Sequence, residues 1–144
     1  MKFIRSTYDP ETKLSEVIIR HKGKKFVGYS KPADEDYEIA NELRGGTIAE
    51  IKATIKALQY ELKELKKEDR IINKYFCEIL IRMEEKGIEP QKDLFSITDR
   101  LDDINYYKRL RIEKEIQELK NDLKIIDNGL KVIKDYKNKK VKEE

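Results

Sequence analysis

The stretch TIAEIKATIKALQYELKELKKEDRIINKYFCEILIRM, residues 47–83, decides the fold. Its apolar residues recur at alternating spacings of three and four, which is the heptad pattern of a coiled-coil helix. The pattern predicts a seam formed by Ile48, Ile51, Ile55, Leu58, Leu62, Leu65, Asp69, Ile72, Phe76, Ile79 and Met83. Asp69 is the one polar residue in this series. We therefore expect a long helix whose apolar edge packs against a second helix.

The start of this helix carries its own signals. Thr47 and Glu50 have the spacing of a capping box, in which the hydroxyl accepts from the amide of Glu50 and the carboxylate reaches back. The preceding Gly45-Gly46 is typical of a helix stop. The sequence therefore predicts a short helix and a Gly-Gly linker over residues 32–46, before the long helix begins.

A second helical pattern follows Gly87 and Pro90, starting near Asp93. Its seam is regular over Leu94, Ile97, Leu101 and Ile104, and again over Ile112, Ile116, Leu119, Leu123, Ile126, Leu130 and Ile133. Between the two runs the phase slips, which predicts a local change of supercoil near residues 106–111. The short connection predicts an antiparallel hairpin over residues 47–137, followed by a basic, frayed tail at 138–144.

The N-terminal residues 1–31 have the composition of three short strands. A turn at Asp9-Pro10 separates the first two strands, because proline pre-sets the backbone for a type I turn. Lys22-Gly23-Lys24 marks the next break. The result is an antiparallel β-meander, and three strands bury too little to stand alone. We expect the meander to lean on a helix or on another copy of itself.

These elements predict the fold class α+β, mostly α: a three-stranded meander, a short helix and a long antiparallel coiled-coil hairpin. Of the 144 residues, 42% are charged and 38% are apolar, a balance typical of long amphipathic helices. No apolar run is long enough to span a membrane, and the N-terminus lacks the apolar core of a signal peptide. We expect a cytoplasmic protein.

Positive charge is concentrated in two segments of the chain. Residues 1–31 hold 8 Lys/Arg and 3 Asp/Glu, and residues 131–144 hold 6 and 3, although the net charge is only +3. A hairpin predicts that both segments lie at one end, where they would form a basic patch suited to a polyanion. The patch comprises Arg20, His21, Lys22, Lys24, Lys25, Lys137, Lys139 and Lys140. Nucleic acid is therefore one candidate partner, and soluble turn and tail lysines are the structural alternative.

Motifs for catalysis are missing from the sequence. Gly45-Gly46 has neither the Lys-Ser/Thr of a phosphate loop nor a dinucleotide-binding spacing. His21 and Cys77 are the only residues of their types, which does not favour a nucleophilic pair or a zinc site. We expect no catalytic residues, no cofactor and no metal.

Asp69 is the most informative single residue of the predicted hairpin. A carboxylate in a seam is costly unless it is paired, and the antiparallel register places it opposite Arg109 and Arg111. We predict a pair with one of these arginines, with Tyr106 or Tyr107 nearby. Polar seam residues commonly fix register and partner choice. The alternative is a binding site in which the arginines and tyrosines hold an anionic signalling nucleotide at an oligomer interface.

The N-terminal half also resembles a known group of proteins. Tyr8-Asp9-Pro10-Glu11-Thr12 with Ser15-Glu16-Val17, then Phe26-Val27-Gly28, and the run from Ile48 to Leu58 resemble small accessory proteins of phages and prophages from Firmicutes. The resemblance covers roughly residues 1–65 and contains no catalytic motif. It implies an accessory phage gene, a class that often encodes inhibitors of host enzymes or of antiviral defence.

Three functional hypotheses follow from the sequence. The leading one is a non-catalytic phage accessory protein that binds a host or antiviral-defence protein stoichiometrically, as a homo-oligomer assembled through the helices. Apolar residues beside the seam support oligomerisation: Ile71, Tyr75, Leu80, Leu110 and Ile125. The alternatives are a nucleic-acid-binding module that uses the basic patch and an oligomeric sponge for an anionic nucleotide.

Overall fold

A computed structural model of the protein describes residues 1–32, 42–89 and 92–143. Three strands come first: β1 (Lys2–Tyr8), β2 (Ser15–His21) and β3 (Lys24–Ser30). Two long helices follow: α1 (Glu42–Glu85) and α2 (Lys92–Glu143). The predicted class, α+β and mostly α, is confirmed.

The chain forms two compact units. Unit 1 contains residues 1–58 and 116–144, and unit 2 contains residues 59–115. Unit 1 therefore holds the sheet, the first turns of α1 and the last turns of α2. Unit 2 holds the remaining parts of the two helices and the connection between them.

The sheet is an antiparallel meander with the order β1-β2-β3. At the first turn, Asp9 Oδ1 accepts a hydrogen bond of 2.9 Å from the Glu11 amide, and the Asp9 amide donates to the Leu14 carbonyl at 3.0 Å. At the second turn, Lys22 and Gly23 have φ values of 50° and 78°. Two successive left-handed residues form the type I′ turn that matches the twist of a hairpin. Both predicted strand connections are confirmed.

One face of the sheet packs on α1 through very small side chains. Ala49, Ala53 and Ala57 are fully buried and form a core with Val17 and Ile19 of β2. Alanines four residues apart line one side of a helix, so the helix backbone approaches the sheet closely. The predicted support of the meander by a helix is therefore correct.

Two glycines lie where the strands and the helix come closest. A Cβ atom on Gly28 would overlap the backbone carbonyl of Ala49 and lie 2.6 Å from the Ala53 amide nitrogen. A Cβ atom on Gly45 would overlap the Ser15 hydroxyl. Neither glycine has a left-handed backbone conformation. Their role is to leave room for the opposing element.

The predicted helix stop at Gly45-Gly46 is therefore wrong. Helix α1 begins at Glu42 and continues through both glycines. Gly45 is needed because Ser15 lies against the helix, and a glycine selected for close packing has the same sequence appearance as a terminator. The linker predicted at the end of the 32–46 segment does not exist. Residues 33–41, which include most of the predicted short helix, lie outside the described part of the chain.

The capping box at Thr47 is also wrong. The Thr47 hydroxyl donates a hydrogen bond of 2.8 Å to the Leu43 carbonyl, one turn earlier in the same helix. Thr54 makes the same bond to Glu50. This is how a threonine inside a helix satisfies its hydroxyl, whereas an N-cap threonine would accept from an amide.

The end of α1 is a Schellman motif. Gly87 has a φ of 68°, its amide donates to the Glu84 carbonyl at 3.0 Å, and the Ile88 amide donates to the Met83 carbonyl at 2.9 Å. The predicted stop at Gly87 is therefore confirmed. Helix α2 starts at Lys92, close to the predicted Asp93, and continues to Glu143. Residues 138–143, where we expected a frayed tail, are helical in the structure, and fraying of this end stays a prediction.

Within each unit, the segments of α1 and α2 run antiparallel. In unit 2, the Phe76 and Phe95 rings meet edge to face at 5.8 Å, and Asp69 contacts Arg109 farther from the connection. In unit 1, Leu43 and Thr47 line a cavity of about 300 Å³ with Gly129 and Ile133. Residues nearer the N-terminus of α1 therefore lie beside residues nearer the C-terminus of α2.

The close approach at Gly28 leads to a stability prediction. Gly28→Ala should lower the free energy of unfolding by about 1–3 kcal/mol. The new methyl group would overlap the backbone of α1, which cannot move aside as a flexible side chain could. Gly46→Ala is the matched control, since nothing lies within 4 Å of its added Cβ. The control should gain about 0.5–1 kcal/mol from helix propensity. Urea denaturation followed by circular dichroism measures both, and equal stabilities of the two variants would contradict the packing argument.

The Asp9 turn leads to a prediction about acid. The Glu11 amide, and then the Thr12 hydroxyl, hold the pKa of the Asp9 carboxyl below its ordinary value. Because the pKa of Asp9 is lower in the folded state, its ionised carboxylate stabilises the fold at pH values above the unfolded-state pKa. This stabilisation is lost as the pH falls through the folded-state pKa. We expect a carboxyl NMR titration to give Asp9 a lower pKa in the wild type than in a Thr12→Ala variant. An unchanged value would show that the Thr12 bond does not form.

Candidate functional site

The center of the helix pair in unit 2 contains a polar cluster: Asp69, Asn105 and Arg109. The Asn105 amide donates to Asp69 Oδ1 at 2.7 Å, and Arg109 Nη1 lies 3.2 Å from Asp69 Oδ2. The side chains of Asp69 and Arg109 are 14% and 32% exposed, and Asn105 is buried. Asp69 Oδ2 has no well-oriented hydrogen bond in the described structure. Its contact with Arg109 is therefore an ion pair, and the directed hydrogen bond comes from Asn105.

The predicted pairing of Asp69 with an arginine is confirmed at Arg109. Arg111, the other predicted partner, is exposed. Tyr106 and Tyr107 are also exposed, and their rings contact each other edge to face at 5.7 Å. Of the five predicted binding residues, two therefore meet in the seam and the other three face solvent, and their role in binding stays a prediction.

The phase slip predicted near residues 106–111 is wrong in its detail. Counting back from Ile116 and Ile112 in steps of four and three gives Arg109 and Asn105, and these are the residues that α2 turns toward α1. From Asn105 to Ile116 the heptad phase is therefore continuous, with polar residues in two of these four positions. Asn105 was missed because only apolar residues were counted, and continued spacing was the signal that would have identified it.

The expected seam residues Leu101 and Ile104 are consequently displaced from the contact. Their side chains are 42% and 52% exposed. On α1, Ile71 is 55% and Tyr75 is 61% exposed, and Ile79, another expected seam residue, is 44% exposed. Unit 2 has further exposed apolar side chains, such as Ile81 and Leu110, but exposed residues that neighbour one another are the ones that mark an interaction surface.

Helix geometry places four of these residues on one side of unit 2, and the seam residue Ile79 lies at the edge of the same side. Tyr75 precedes the seam residue Phe76 by one position, and Ile104 precedes Asn105 by one position. One residue is a rotation of about 100°. Because the helices are antiparallel, equal rotations from the contact line bring side chains to the same side of the pair. Ile71, Tyr75, Ile79, Leu101 and Ile104 therefore form a continuous surface, named the apolar face below.

In unit 1, the sheet register assembles cations that are distant in sequence. Arg20 is directly opposite Lys2 of β1 on one side and Lys25 of β3 on the other. All three side chains are exposed. They form a row across three strands, on the face of the sheet opposite the buried Val17 and Ile19. This set is named the cationic row.

The predicted basic patch is therefore only partly assembled. Ser15 lies against Gly45, and Ile19 packs in the core with Ala57. Strand β2 therefore runs in the same direction as α1. The turn at Lys22, which follows β2, lies level with residues near 57 of α1. Residues 137–140 of α2 lie beyond the start of α1, roughly 20 Å or more along the axis from that turn. The prediction that Lys137, Lys139 and Lys140 share a patch with Arg20, His21, Lys22, Lys24 and Lys25 is wrong.

Comparison with protein families, with curated proteins and with solved structures found no match. Over the described residues, neither helix contains a stretch long and apolar enough to cross a membrane. Cys77 is a free, exposed thiol.

The polar cluster leads to a prediction that separates its members. Asp69→Leu leaves the buried Asn105 amide without its partner and should destabilise the protein by about 1–3 kcal/mol. The double variant Asp69→Leu, Asn105→Leu removes both polar groups and should be as stable as the wild type or more stable. Urea denaturation of the two variants, with Arg111→Ala as the exposed control, provides the measurement. A double variant less stable than Asp69→Leu would contradict this account.

Proposed function

We propose that this protein acts without chemistry, by stoichiometric protein binding as a homo-oligomer assembled through the helices of unit 2. The apolar face is the observation that supports this proposal. Five large side chains at about half exposure present roughly 400 Å² of apolar surface. A standard interface buries about 800 Å² on each partner, with an apolar core and a polar rim. The face therefore has the size of an interface core.

A second copy of the chain is the occupant that this face fits. Ile71, Tyr75 and Ile79 run along α1, and Leu101 and Ile104 lie beside them on the antiparallel α2. A two-fold axis parallel to the helices would place the α1 row of one copy on the α2 row of the other. The resulting helix contacts repeat the antiparallel packing already present within the unit.

The further partner in this proposal is a host or antiviral-defence protein, with the chain acting as a phage accessory inhibitor. Support comes from the resemblance of residues 1–65 to phage and prophage proteins. The nucleotide-sponge alternative is not favoured, because Arg109 is engaged by Asp69 while Tyr106, Tyr107 and Arg111 face solvent.

Light scattering coupled to size exclusion tests the assembly. The wild type should elute with about twice the 17.1 kDa mass of one chain, and Tyr75→Glu or Leu101→Glu should elute as a monomer. Leu110→Glu is the matched control: Leu110, which the sequence suggested for oligomerisation, is 43% exposed but follows the seam residue Arg109 by one position and so lies on the other side of the pair. A wild-type monomer at micromolar concentration would refute the assembly, and so would equal dissociation by the control.

Affinity purification from expressing host cells, followed by mass spectrometry, tests the partner. A specific partner should be retained by the wild type and by Leu110→Glu. The proposal also requires its loss, or a clear reduction, with Tyr75→Glu. A partner captured equally by all three proteins would show that the apolar face does not act in binding.

A further inference from the structure

The open face of the sheet carries an unfavourable arrangement of charge. Lys2, Arg20 and Lys25 are directly opposite one another across the three strands. Like charges at directly opposed positions destabilise an antiparallel sheet. Among the described residues, no carboxylate forms a salt bridge with any of the three, whereas Arg5 on the same face lies 3.7 Å from Glu16. The cationic row lacks the compensation that Arg5 has.

A β-bulge creates this arrangement. From Arg5 to Tyr8 the pairing with β2 is regular, and a register shift between Phe3 and Arg5 then places Lys2 opposite Arg20 and Phe3 opposite Ile19. Without the bulge, Phe3 would be opposite Arg20. The shift turns Phe3 toward the helix-covered face, yet its side chain remains 55% exposed. Apolar burial is therefore a weak explanation for the register that aligns the three cations.

The same face contains groups suited to bases as well as phosphates. Next to the cationic row are the partly exposed Ile18 and Val27, which are paired across β2 and β3. Beyond them is Tyr29, 50% exposed and about 13 Å from Lys25 along the strand. Cations, an apolar floor and an accessible aromatic ring on one open sheet face are the elements that single-stranded nucleic acids use.

We propose that the open face of the sheet binds single-stranded nucleic acid, with phosphates on Lys2, Arg20 and Lys25 and a base stacked on Tyr29. This function is separate from the protein binding proposed for unit 2. An acidic peptide would use the cations but would gain little from Tyr29 and the apolar pair. A duplex would keep its bases stacked and unavailable to the ring.

Fluorescence anisotropy with labelled oligo-U and oligo-dT tests the proposal on the full chain. Binding should be detectable at low salt and fall steeply as salt rises from about 50 to 200 mM, as expected for phosphate contacts. Arg20→Glu with Lys25→Glu should weaken binding by about tenfold or more. Lys139→Glu with Lys140→Glu makes the same change in net charge on exposed residues of α2 and should leave affinity within about twofold.

Stacking has its own pair of variants. Tyr29→Ala should weaken binding about tenfold, whereas Tyr136→Ala, which removes an exposed tyrosine from α2, should not. Folding is checked independently, because Arg20→Glu inserts an acid between Lys2 and Lys25 and should raise the melting temperature of the sheet-containing protein. Arg20→Gln with Lys25→Gln provides a charge-removing variant if the reversal fails to fold.

Several outcomes would overturn the proposal. No binding at low salt is one, and equal losses in the row variant and the α2 control are another, since they would indicate only a net-charge effect. Stronger binding to a duplex than to a single strand would exclude base stacking on Tyr29. Displacement of the oligonucleotide by poly-glutamate at comparable concentration would assign the face to acidic protein segments.

Discussion

The contact between α1 and the sheet is the interaction on which the rest of the structure depends. Three short strands cannot bury enough apolar surface alone, so the meander requires the helix. Ala49, Ala53 and Ala57 make that contact with side chains of minimal size, and Gly28 lies where no larger residue would fit. The contact covers one face of the sheet and leaves the other open.

Lys56 adds a polar contact between α1 and the sheet. Its ammonium donates to the Val27 carbonyl at 2.8 Å and occupies the outer edge of β3. Among the described strands, β1 with Lys2 forms the other edge of the sheet.

Much of this fold could be predicted from the sequence, and the errors share a cause. Local signals were correct wherever local geometry decided the outcome, as at the Asp9 turn, the Lys22-Gly23 turn and the Gly87 stop. Gly45 misled because its role depends on Ser15, which is distant in sequence. The prediction at Thr47 was wrong because a threonine followed three residues later by glutamate occurs both in capping boxes and inside helices. A tertiary contact or a continuous helix overrides such signals, and one sequence does not show either.

At the candidate sites too, some features could be predicted from the sequence, whereas others depended on tertiary contacts. The pairing of Asp69 with Arg109 followed from the cost of an unpaired carboxylate and from simple hairpin register. The basic patch failed because sequence distance does not reveal strand direction: β2 runs along α1, away from the end where residues 137–140 lie. The cationic row could not be predicted, because the bulge that places Lys2 opposite Arg20 is a change of one residue in register. Such a change reverses which face each side chain occupies.

The polar cluster also determines that the apolar face exists. If α2 were rotated by about 100° in unit 2, Leu101 and Ile104 would replace Asn105 and Arg109 in the contact. That arrangement would bury more apolar surface, but Asp69 would lose both its hydrogen bond and its ion pair. Leaving the carboxylate without partners costs about 3–5 kcal/mol, whereas leaving two aliphatic side chains half exposed costs roughly 1.5–3 kcal/mol. Asp69 therefore selects the rotation that leaves Leu101 and Ile104 exposed beside Ile71 and Tyr75. The seam gives up apolar burial, and the surface gains the area that a second copy can cover.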